Sequence, residues 1–465
     1  MTEPGDPPAP VVAVFTGSSD PPGLYHRAAA EVLARTYPEV VVAPCLAYAD
    51  GPPDIAPQHR ATMADLAFRG IPNVRVDLSD LEAGRPFDFA ALDARYAAHG
   101  KAVTHVVAAG QVRGGAYGQS KLQLRSHGVE LWNRLHYTVL VDRFDPIDAA
   151  DLPPHNRVLE VPPGLSSATI RSMLFEGHGA ADHMPPAVYA YALRHGLYGS
   201  GSGRKPTAFR PGGTRFKIFA DEWNAKSKEY REVLRKYESD DPELIVAIGG
   251  DGTMLRAIRE HWQERVPFYG INTGGLGFLL NGRDLNAFWD RELLLYQLPL
   301  LWVEAEDVHG KVTMHHAFND TWVERAGGQT AWVRVTVNGQ ERVPRMVGDG
   351  VLVATAAGSS SYARAMGASP VPLNADVLVL CGSNVLKPAF WRPAMLPMDS
   401  VIEIENIDPV RRPLKGCIDG QGLDALVRKI RIRASQTACV ELAFTPEHDP
   451  VAKLGFVQFP KTTDD

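Results

Sequence analysis

Leu244-Ile245-Val246-Ala247-Ile248-Gly249-Gly250-Asp251-Gly252-Thr253-Met254-Leu255-Arg256-Ala257-Ile258-Arg259 reads as an apolar strand, a glycine turn and a helix. A strand that enters a helix through glycines is the repeating unit of an α/β fold. At such a turn the first N–H groups of the helix are unpaired and favour phosphate. Asp251 is out of place in a loop made only for anions, because a carboxylate beside phosphate is costly unless it binds a metal or takes a proton. A plain tight turn is the alternative reading of so short a stretch.

A second unit of the same kind follows at once. Pro267-Phe268-Tyr269-Gly270-Ile271 leads into Asn272-Thr273-Gly274-Gly275-Leu276-Gly277-Phe278, so two strand ends present glycine loops at one sheet edge. Upstream, Phe216 to Phe219 reads as a strand and Ala225 to Tyr237 as a charged amphipathic helix. From about Leu300 the pattern turns to short alternating segments, among them Thr330 to Val337, Gly350 to Ala354 and Ser400 to Glu405, with Asn338-Gly339 as a hairpin turn.

The first half repeats a β-α pattern. Strands are expected at Val11 to Phe15, Val40 to Ala43, Val74 to Val76 and His105 to Ala108, with helices at Ala28 to Leu33, Arg60 to Phe68 and Phe89 to Ala98. Helices at Thr169 to Glu176 and Pro186 to His195 close the block before Gly199-Ser200-Gly201-Ser202-Gly203, a linker composition. The organisation expected is a disordered start (1–9), a doubly wound parallel-sheet domain (10–199), a linker (200–213), an α/β domain (214–299), a β-rich domain (300–440) and a C-terminal segment (441–465) that returns to the α/β domain.

Composition excludes several function classes. A net charge of −6 with 22% charged residues offers no basic excess for nucleic acid or anionic lipid. Cys45, Cys381, Cys417 and Cys439 are scattered with no C-x-x-C pair, against a zinc site or secreted disulfide framework and in favour of a reducing cytoplasm. The acidic, proline-rich start and the lack of a membrane-length apolar run predict no export and no membrane anchor. No G-x-x-x-x-G-K-[ST] occurs, so phosphoryl transfer, if present, is built without a Walker loop and its lysine. The turn at Gly249 to Thr253 supplies phosphate positioning and, in Asp251, a base.

Together with that turn, Gly270 to Leu279, Asn319-Asp320, Gly348-Asp349-Gly350, Gly358-Ser359-Ser360-Ser361-Tyr362 and Asp419-Gly420-Gln421 resemble the NAD kinase family, in the family's order, over about residues 214 to 450. The resemblance implies an α/β domain and a β-rich domain with the active site between them, ATP with Mg2+ as phosphoryl donor and NAD as acceptor. Asp251 would activate the 2′-hydroxyl of the adenosine ribose. Gly249, Gly250, Gly252, Thr253 and Asn272 would hold phosphate and nucleotide. Asn319 and Asp320 would bind the adenosine portion, and Asp349, Ser360, Ser361 and Tyr362 the nicotinamide and ribose side. The chain departs from the family with Asp320 for a common glutamate, Thr355-Ala356-Ala357 before Gly358, and Ala365 for a common serine, which bears on substrate affinity. From the residues alone, Asn319-Asp320 also reads as an Asx turn and Asp349 as a Gly-Asp-Gly turn.

Thr16-Gly17-Ser18-Ser19-Asp20-Pro21-Pro22-Gly23-Leu24-Tyr25-His26 and Leu165-Ser166-Ser167-Ala168-Thr169-Ile170-Arg171 resemble the two nucleotide-binding signatures of nicotinamide or nicotinate mononucleotide adenylyltransferases, over residues 10 to 199. By that resemblance Gly17, Ser18, His26, Ser166, Ser167, Thr169 and Arg171 would hold a triphosphate, and Trp132 would lie near a pyridine pocket. Taken alone, Ser166 to Thr169 are read first as plain N-capping, and Trp132 first as a core residue. Gly23 replaces the first histidine of H-x-G-H and Tyr25 its glycine; losing one such donor typically costs about 10²–10³ in rate.

The function expected is phosphorylation of NAD to NADP in the second half, with NAD made from nicotinamide mononucleotide and ATP in the first. The alternatives are a first half that is a non-catalytic nucleotide sensor or assembly module, and a lipid kinase built on the same Gly-Gly-Asp-Gly-Thr turn. The partners expected are NAD, ATP and nicotinamide mononucleotide, with no nucleic acid, no membrane and a homo-oligomeric state.

Overall fold

The computed structural model describes residues 11–17, 19–45, 55–85, 88–98, 100–199, 207–209, 211, 215–275, 277–285, 291–450 and 453–454. The expected disordered start, Ser18, Leu276 and most of the expected linker lie outside the described residues. The chain divides into two units, Met1–Gly203 and Arg204–Asp465. Among the described residues no helix is long and apolar enough to cross a membrane.

The first unit alternates strands and helices: β1 (Val11–Gly17), α1 (Leu24–Thr36), β2 (Glu39–Pro44), α2 (Pro57–Phe68), β3 (Val74–Val76), α3 (Ser79–Glu82), α4 (Phe89–Ala97), β4 (Ala102–Ala108), α5 (Ala109–Val112), α6 (Gly128–Arg134), β5 (Tyr137–Val141), β6 (Asn156–Glu160), α7 (Ser167–Glu176) and α8 (Pro186–Arg194). Every strand pair is parallel, in the order β3-β2-β1-β4-β5-β6. Central strands in such a sheet are covered on both faces and so read as continuous apolar runs. One face of β1 packs Ala13 and Phe15 against Ala29, Ala30 and Leu33 of α1, Met63 of α2 and Ile170 of α7. The other packs Val12 and Val14 against Leu92 and Tyr96 of α4. The strand order reverses between β1 and β4, the place where ligands sit at the carboxyl ends of the strands in sheets of this kind.

The second unit comprises β7 (Thr207–Phe209), β8 (Phe216–Ala220), α9 (Ala225–Leu234), β9 (Leu244–Gly249), α10 (Asp251–His261), β10 (Phe268–Asn272), β11 (Leu293–Asp307), β12 (Val312–Ala317), β13 (Asp320–Arg325), β14 (Ala331–Val337), β15 (Gln340–Gly348), β16 (Gly350–Ala354), α11 (Tyr362–Ala365), β17 (Val377–Ser383), β18 (Ala394–Pro397), β19 (Ile402–Asn406), β20 (Leu414–Ile418) and β21 (Gln421–Phe444). β8, β9 and β10 run parallel, and the end of β21 joins them with Phe268 opposite Leu442. The remaining pairs are antiparallel. Asn338 and Gly339 have φ of 51° and 74° and close the β14–β15 hairpin, as a two-residue turn of the I′ type requires.

β11 and β21 run through residue 300, where the sequence pattern suggested a border. Their ladder is continuous from Leu294–Phe444 to Pro299–Cys439, then resumes at Leu301–Ala434. Ser435 to Ala438 stand opposite Leu300, and the Ser435 hydroxyl accepts N–H bonds from Thr437 and Ala438. Such a bulge bends the sheet without cutting it.

Candidate functional sites

Gly249 ends β9 and Gly250 caps α10 in an extended conformation. A Cβ on Gly249 would collide with the Thr253 side chain, so packing alone demands glycine there. Gly250 and Gly252 differ: a Cβ on either meets nothing within 4 Å. Neither has a positive φ. What remains to favour glycine at these two positions is room for a ligand to approach the backbone.

The Asp251 carboxylate accepts the N–H groups of Phe278 (2.8 Å) and Leu279 (2.9 Å), one on each oxygen. Burial pushes its pKa up, against the pull of those two N–H groups and of the Lys453 ammonium. Lys453 donates to the carbonyl of Leu280, the next residue of the same segment, and is buried. Burial pulls its pKa down to about 8. Gly270 makes room for this segment, since a Cβ there would strike Leu280 and Met254. Phe278, Leu279 and Leu280 share one core with Met254, Ala257 and Ile258 of α10 and with Phe318 and Ala357.

That core brings Asn319 and Asp320 to the same side of the unit as α10. Asp419 accepts N–H bonds from Phe318 (2.7 Å), Asn319 (2.8 Å) and Asp320 (3.1 Å), from the turn between β20 and β21 where it takes a φ of 45°. On the carbonyl side, Thr355 donates its hydroxyl to Phe318 and its N–H to Asn319. Gly358 packs so close to Asn319 that a Cβ would collide with its carbonyl. The loop is thus clamped from both sides, while the Asn319 side-chain oxygen is buried without a hydrogen-bond partner. Asp320 is 3% exposed, and burial followed by the charge of Asp419 raises its pKa to about 7. Arg259 of α10 acts on Asp419 in the opposite sense.

The other expected residues of this unit fall in different places. Asn272 is engaged in its own turn, accepting from Gly274 N–H and donating to the Gly275 carbonyl. Tyr362 is half exposed and stacks on Trp322 at 4.9 Å, and Ser360 and Ser361 precede it at the surface end of the same segment. Asp349 lies at the far end of the β13–β16 ladder: Asp320 pairs with Ala354, whereas Gly350 pairs with Glu324. At about 3.3 Å per residue, that separates Asp349 from Asp320 by roughly 16 Å along the strand. Its carboxylate is held by Asn384 and Arg325, whose hydrogen bonds keep its pKa low. A single chain does not bring Asp349 to the Asp251 side.

In the first unit a cavity of about 650 Å³ opens at the β1/β4 reversal. Gly17, Tyr25, His26, Lys121, Arg125, Asp142, Ser166, Ser167 and Arg171 are among its lining residues. The Gly23 N–H donates to Nδ1 of His26 (3.1 Å), which leaves the ring proton on Nε2, and burial holds the imidazole pKa down at about 4. His26 is therefore a neutral donor at physiological pH. Ser166 caps α7 through Thr169. Ser167 donates to the Pro21 carbonyl (2.8 Å) and Arg171 to that of Asp20 (2.5 Å), so both tie down the first loop. Asp20 is buried and receives Tyr198 (2.5 Å), with Arg60 at 3.9 Å.

The two motif departures have packing partners. A Cβ on Gly23 would lie 2.5 Å from the terminal methyl of the buried Ile170 and 3.0 Å from the His183 carbonyl oxygen, so a side chain there requires Ile170 to move. The Tyr25 side chain occupies the space a Cβ on Gly164 would need, at 2.5 Å. Trp132 belongs to a core with Leu131 and Tyr137 and packs against Gly115; it does not line the cavity. Its size and apolar neighbours account for its burial. Neither Lys453 nor the lock on Asp20 by Tyr198 and Arg60 carries a local sequence signal, because each depends on contacts far along the chain.

A family model described as the ATP-NAD kinase N-terminal domain matches residues 211–290. An NAD kinase of Rickettsia bellii (strain OSU 85-389) is 33% identical over 231 residues, 48% of this chain and 90% of that protein. An NAD kinase of Cereibacter sphaeroides (strain ATCC 17025 / ATH 2.4.3) is 34% identical over 225 residues, 47% of this chain and 87% of that protein. Yeast NADH kinase complexed with NADH, a solved structure, aligns with a TM-score of 0.46 at 17% identity over 57% of this chain and 93% of that one.

Proposed function

This chain belongs to the NAD kinase family, and from that premise we propose that its second unit transfers the γ-phosphoryl group of ATP to the adenosine-ribose 2′-hydroxyl of NAD. The observation that carries the reading is Asp251: a half-buried carboxylate at the start of α10, between two glycines that face open space. The bond formed is from the 2′-oxygen to the γ-phosphorus, and the bond broken releases ADP. The hydroxyl proton passes to Asp251, whose burial makes it a better proton acceptor than an exposed aspartate. The helix N-terminus and the open backbone of Gly250 and Gly252 receive phosphate oxygens. Asn319 and Asp320, held in place by Asp419 and Thr355, are the residues this reading sets against the adenosine portion.

Among the described residues no three carboxylate, imidazole or thiolate groups converge to hold a metal ion. Magnesium supplied with ATP would neutralise phosphate charge during the transfer. The four cysteines are buried free thiols, which suits a reducing compartment.

Purified protein with ATP, magnesium and NAD should form NADP, and Asp251→Asn should lower turnover by about 10²–10⁴. Absence of NADP from the wild type, or unchanged turnover in the variant, would overturn the assignment.

For the first unit the strand order and the cavity at its reversal support nucleotide binding. We read it as a mononucleotide and ATP site that makes NAD, with nicotinamide rather than nicotinate mononucleotide because the nicotinate product needs amidation before a NAD kinase accepts it. The sensor reading draws on Gly23, whose packing leaves His26 as the sole imidazole of the expected pair. Pyrophosphate release from ATP and nicotinamide mononucleotide, measured on full-length Asp251→Asn, separates the two. Turnover rules out the sensor; binding without turnover rules out the transferase.

A further inference from the structure

The Phe278-Leu279-Leu280 segment is gripped twice. Two of its N–H groups go to the Asp251 carboxylate, and the carbonyl of Leu280 receives the Lys453 ammonium. Lys453 lies in the segment after β21, anchored by its own N–H to the carbonyl of Asp449 (3.0 Å). It is 8% exposed and sits over the Phe444 ring at 5.0 Å. A buried ammonium is costly unless it is hydrogen-bonded and compensated, and the carboxylate nearest this segment is the half-buried Asp251.

Resting on the kinase reading above, we propose that Lys453 is the positioning residue of Asp251: it fixes the segment that orients the carboxylate, and its charge acts on that carboxylate across the segment rather than by direct contact. The charged groups acting on each are few. Among the described residues Lys453 is the charged group that acts on Asp251 beyond the two N–H donors, whereas Lys453 feels both Asp251 and Asp449. Asp449 is already engaged by the Tyr296 hydroxyl (2.9 Å). His448 feels the charge of Lys453, and burial lowers its pKa first. Removing the ammonium takes away one of the three influences that oppose burial at Asp251, so the carboxyl should hold its proton to higher pH and fail as a base at low pH.

The test is a ¹³C-carboxyl aspartate NMR titration of the full chain, with the Asp251 resonance assigned by its absence in Asp251→Asn. Lys453→Met and Lys453→Gln should each raise the Asp251 midpoint by about one pH unit, while Lys453→Arg stays near the wild type. Gln retains a donor for Leu280, so it separates the charge from the hydrogen bond. In parallel, the acid limb of kcat/KM for NADP formation should move up by the same amount, about tenfold lower below the midpoint and converging with the wild type at high pH. An unmoved midpoint in both neutral variants, or an Arg variant that behaves like Met, overturns the proposal. If the Met variant does not fold, ¹⁵N observation of the Lys453 ammonium in Asp251→Asn reads the pair from its other end: its pKa should fall, and no change sinks the idea. A carboxyl shift in a protein that makes no NADP at any pH would refute the kinase reading and leave the coupling of Lys453 to Asp251 standing.

Discussion

Asp419 makes no contact with a ligand in the mechanism above, yet it is the residue on which the Asn319–Asp320 loop hangs. Replacing it with alanine leaves the N–H groups of Phe318, Asn319 and Asp320 without an acceptor in a buried place. Taking the low end of about 1 kcal/mol for each unsatisfied group, because the loop can relax toward water, the local cost is ~3 kcal/mol, about 100-fold in the opening equilibrium. Asparagine is a milder change. With its oxygen at the position that accepts from Asn319 and Asp320 it keeps two bonds and sets an amide N–H₂ against Phe318, a single mismatch of ~1.4 kcal/mol or tenfold. Amide hydrogen exchange at Phe318, Asn319 and Asp320 should therefore accelerate about 100-fold in Asp419→Ala and about tenfold in Asp419→Asn, with the amides of β9 unchanged. A pH signature accompanies it. Asp320 in the folded chain has a pKa of about 7 against an ordinary 3.8, so between those values the folded state binds a proton that the unfolded chain has lost, and stability declines as pH rises through that window. Asp419→Asn removes the neighbouring charge and should shallow this decline. Wild-type exchange at the three amides in both variants, or equal loss of protection throughout the unit, would refute the clamp.

Gly252→Ala should leave the melting temperature of the second unit within a degree or two while raising the KM for nucleotide, whereas Gly249→Ala, which collides with Thr253, should destabilise it; calorimetry with initial-rate kinetics separates them, and equal destabilisation would remove the argument for ligand approach. Gly23→His, which a motif comparison recommends as a repair, should instead destabilise the first unit by about 1–3 kcal/mol through overpacking against Ile170; a stable variant with raised pyrophosphate release would show that the loop has room. The His26 imidazole should show no protonation shift between pH 5 and 8 by NMR, since its pKa is about 4, and a midpoint near 6.5 would place it in water rather than in the wall of the cavity.

The local elements were legible because their causes are local. Apolar runs before Gly249 and after Pro10 can only be covered strands, and Asn338-Gly339 names its own turn. The long strands were not. β11 carries Pro299 and β21 is interrupted opposite Leu300, so neither keeps the unbroken alternation by which a strand of 15 or 24 residues would be seen. At the candidate sites, Asp251 was singled out from its place in the glycine turn and the Asn319–Asp320 pair from the family resemblance, and the Asp419 motif was noted without its job as acceptor for three N–H groups. Gly23 looked like a lost catalytic group; that it is also a packing requirement depends on Ile170 and His183, about 150 residues away. Lys453 sits in no motif, and only folding brings it to Leu280. Edge strand β6, short and mostly exposed, lacks the apolar run that marked the others.

β21 begins one residue beyond Gly420, beside the clamp on Asn319 and Asp320, and ends at Phe444, hydrogen-bonded to the sheet that presents Asp251. A mechanical strut of this kind, doubled by β11, has few soft joints apart from the offset at Leu300. Opening the Asp251 side away from the Asn319 side as rigid bodies would mean flexing a pleated ribbon rather than turning a hinge. On the proposed reading, exchange of substrate and product falls to the short segments carried at the ends of the ribbon, and the interval between Asp251 and the Asn319–Asp320 loop is set at folding, before any ligand arrives.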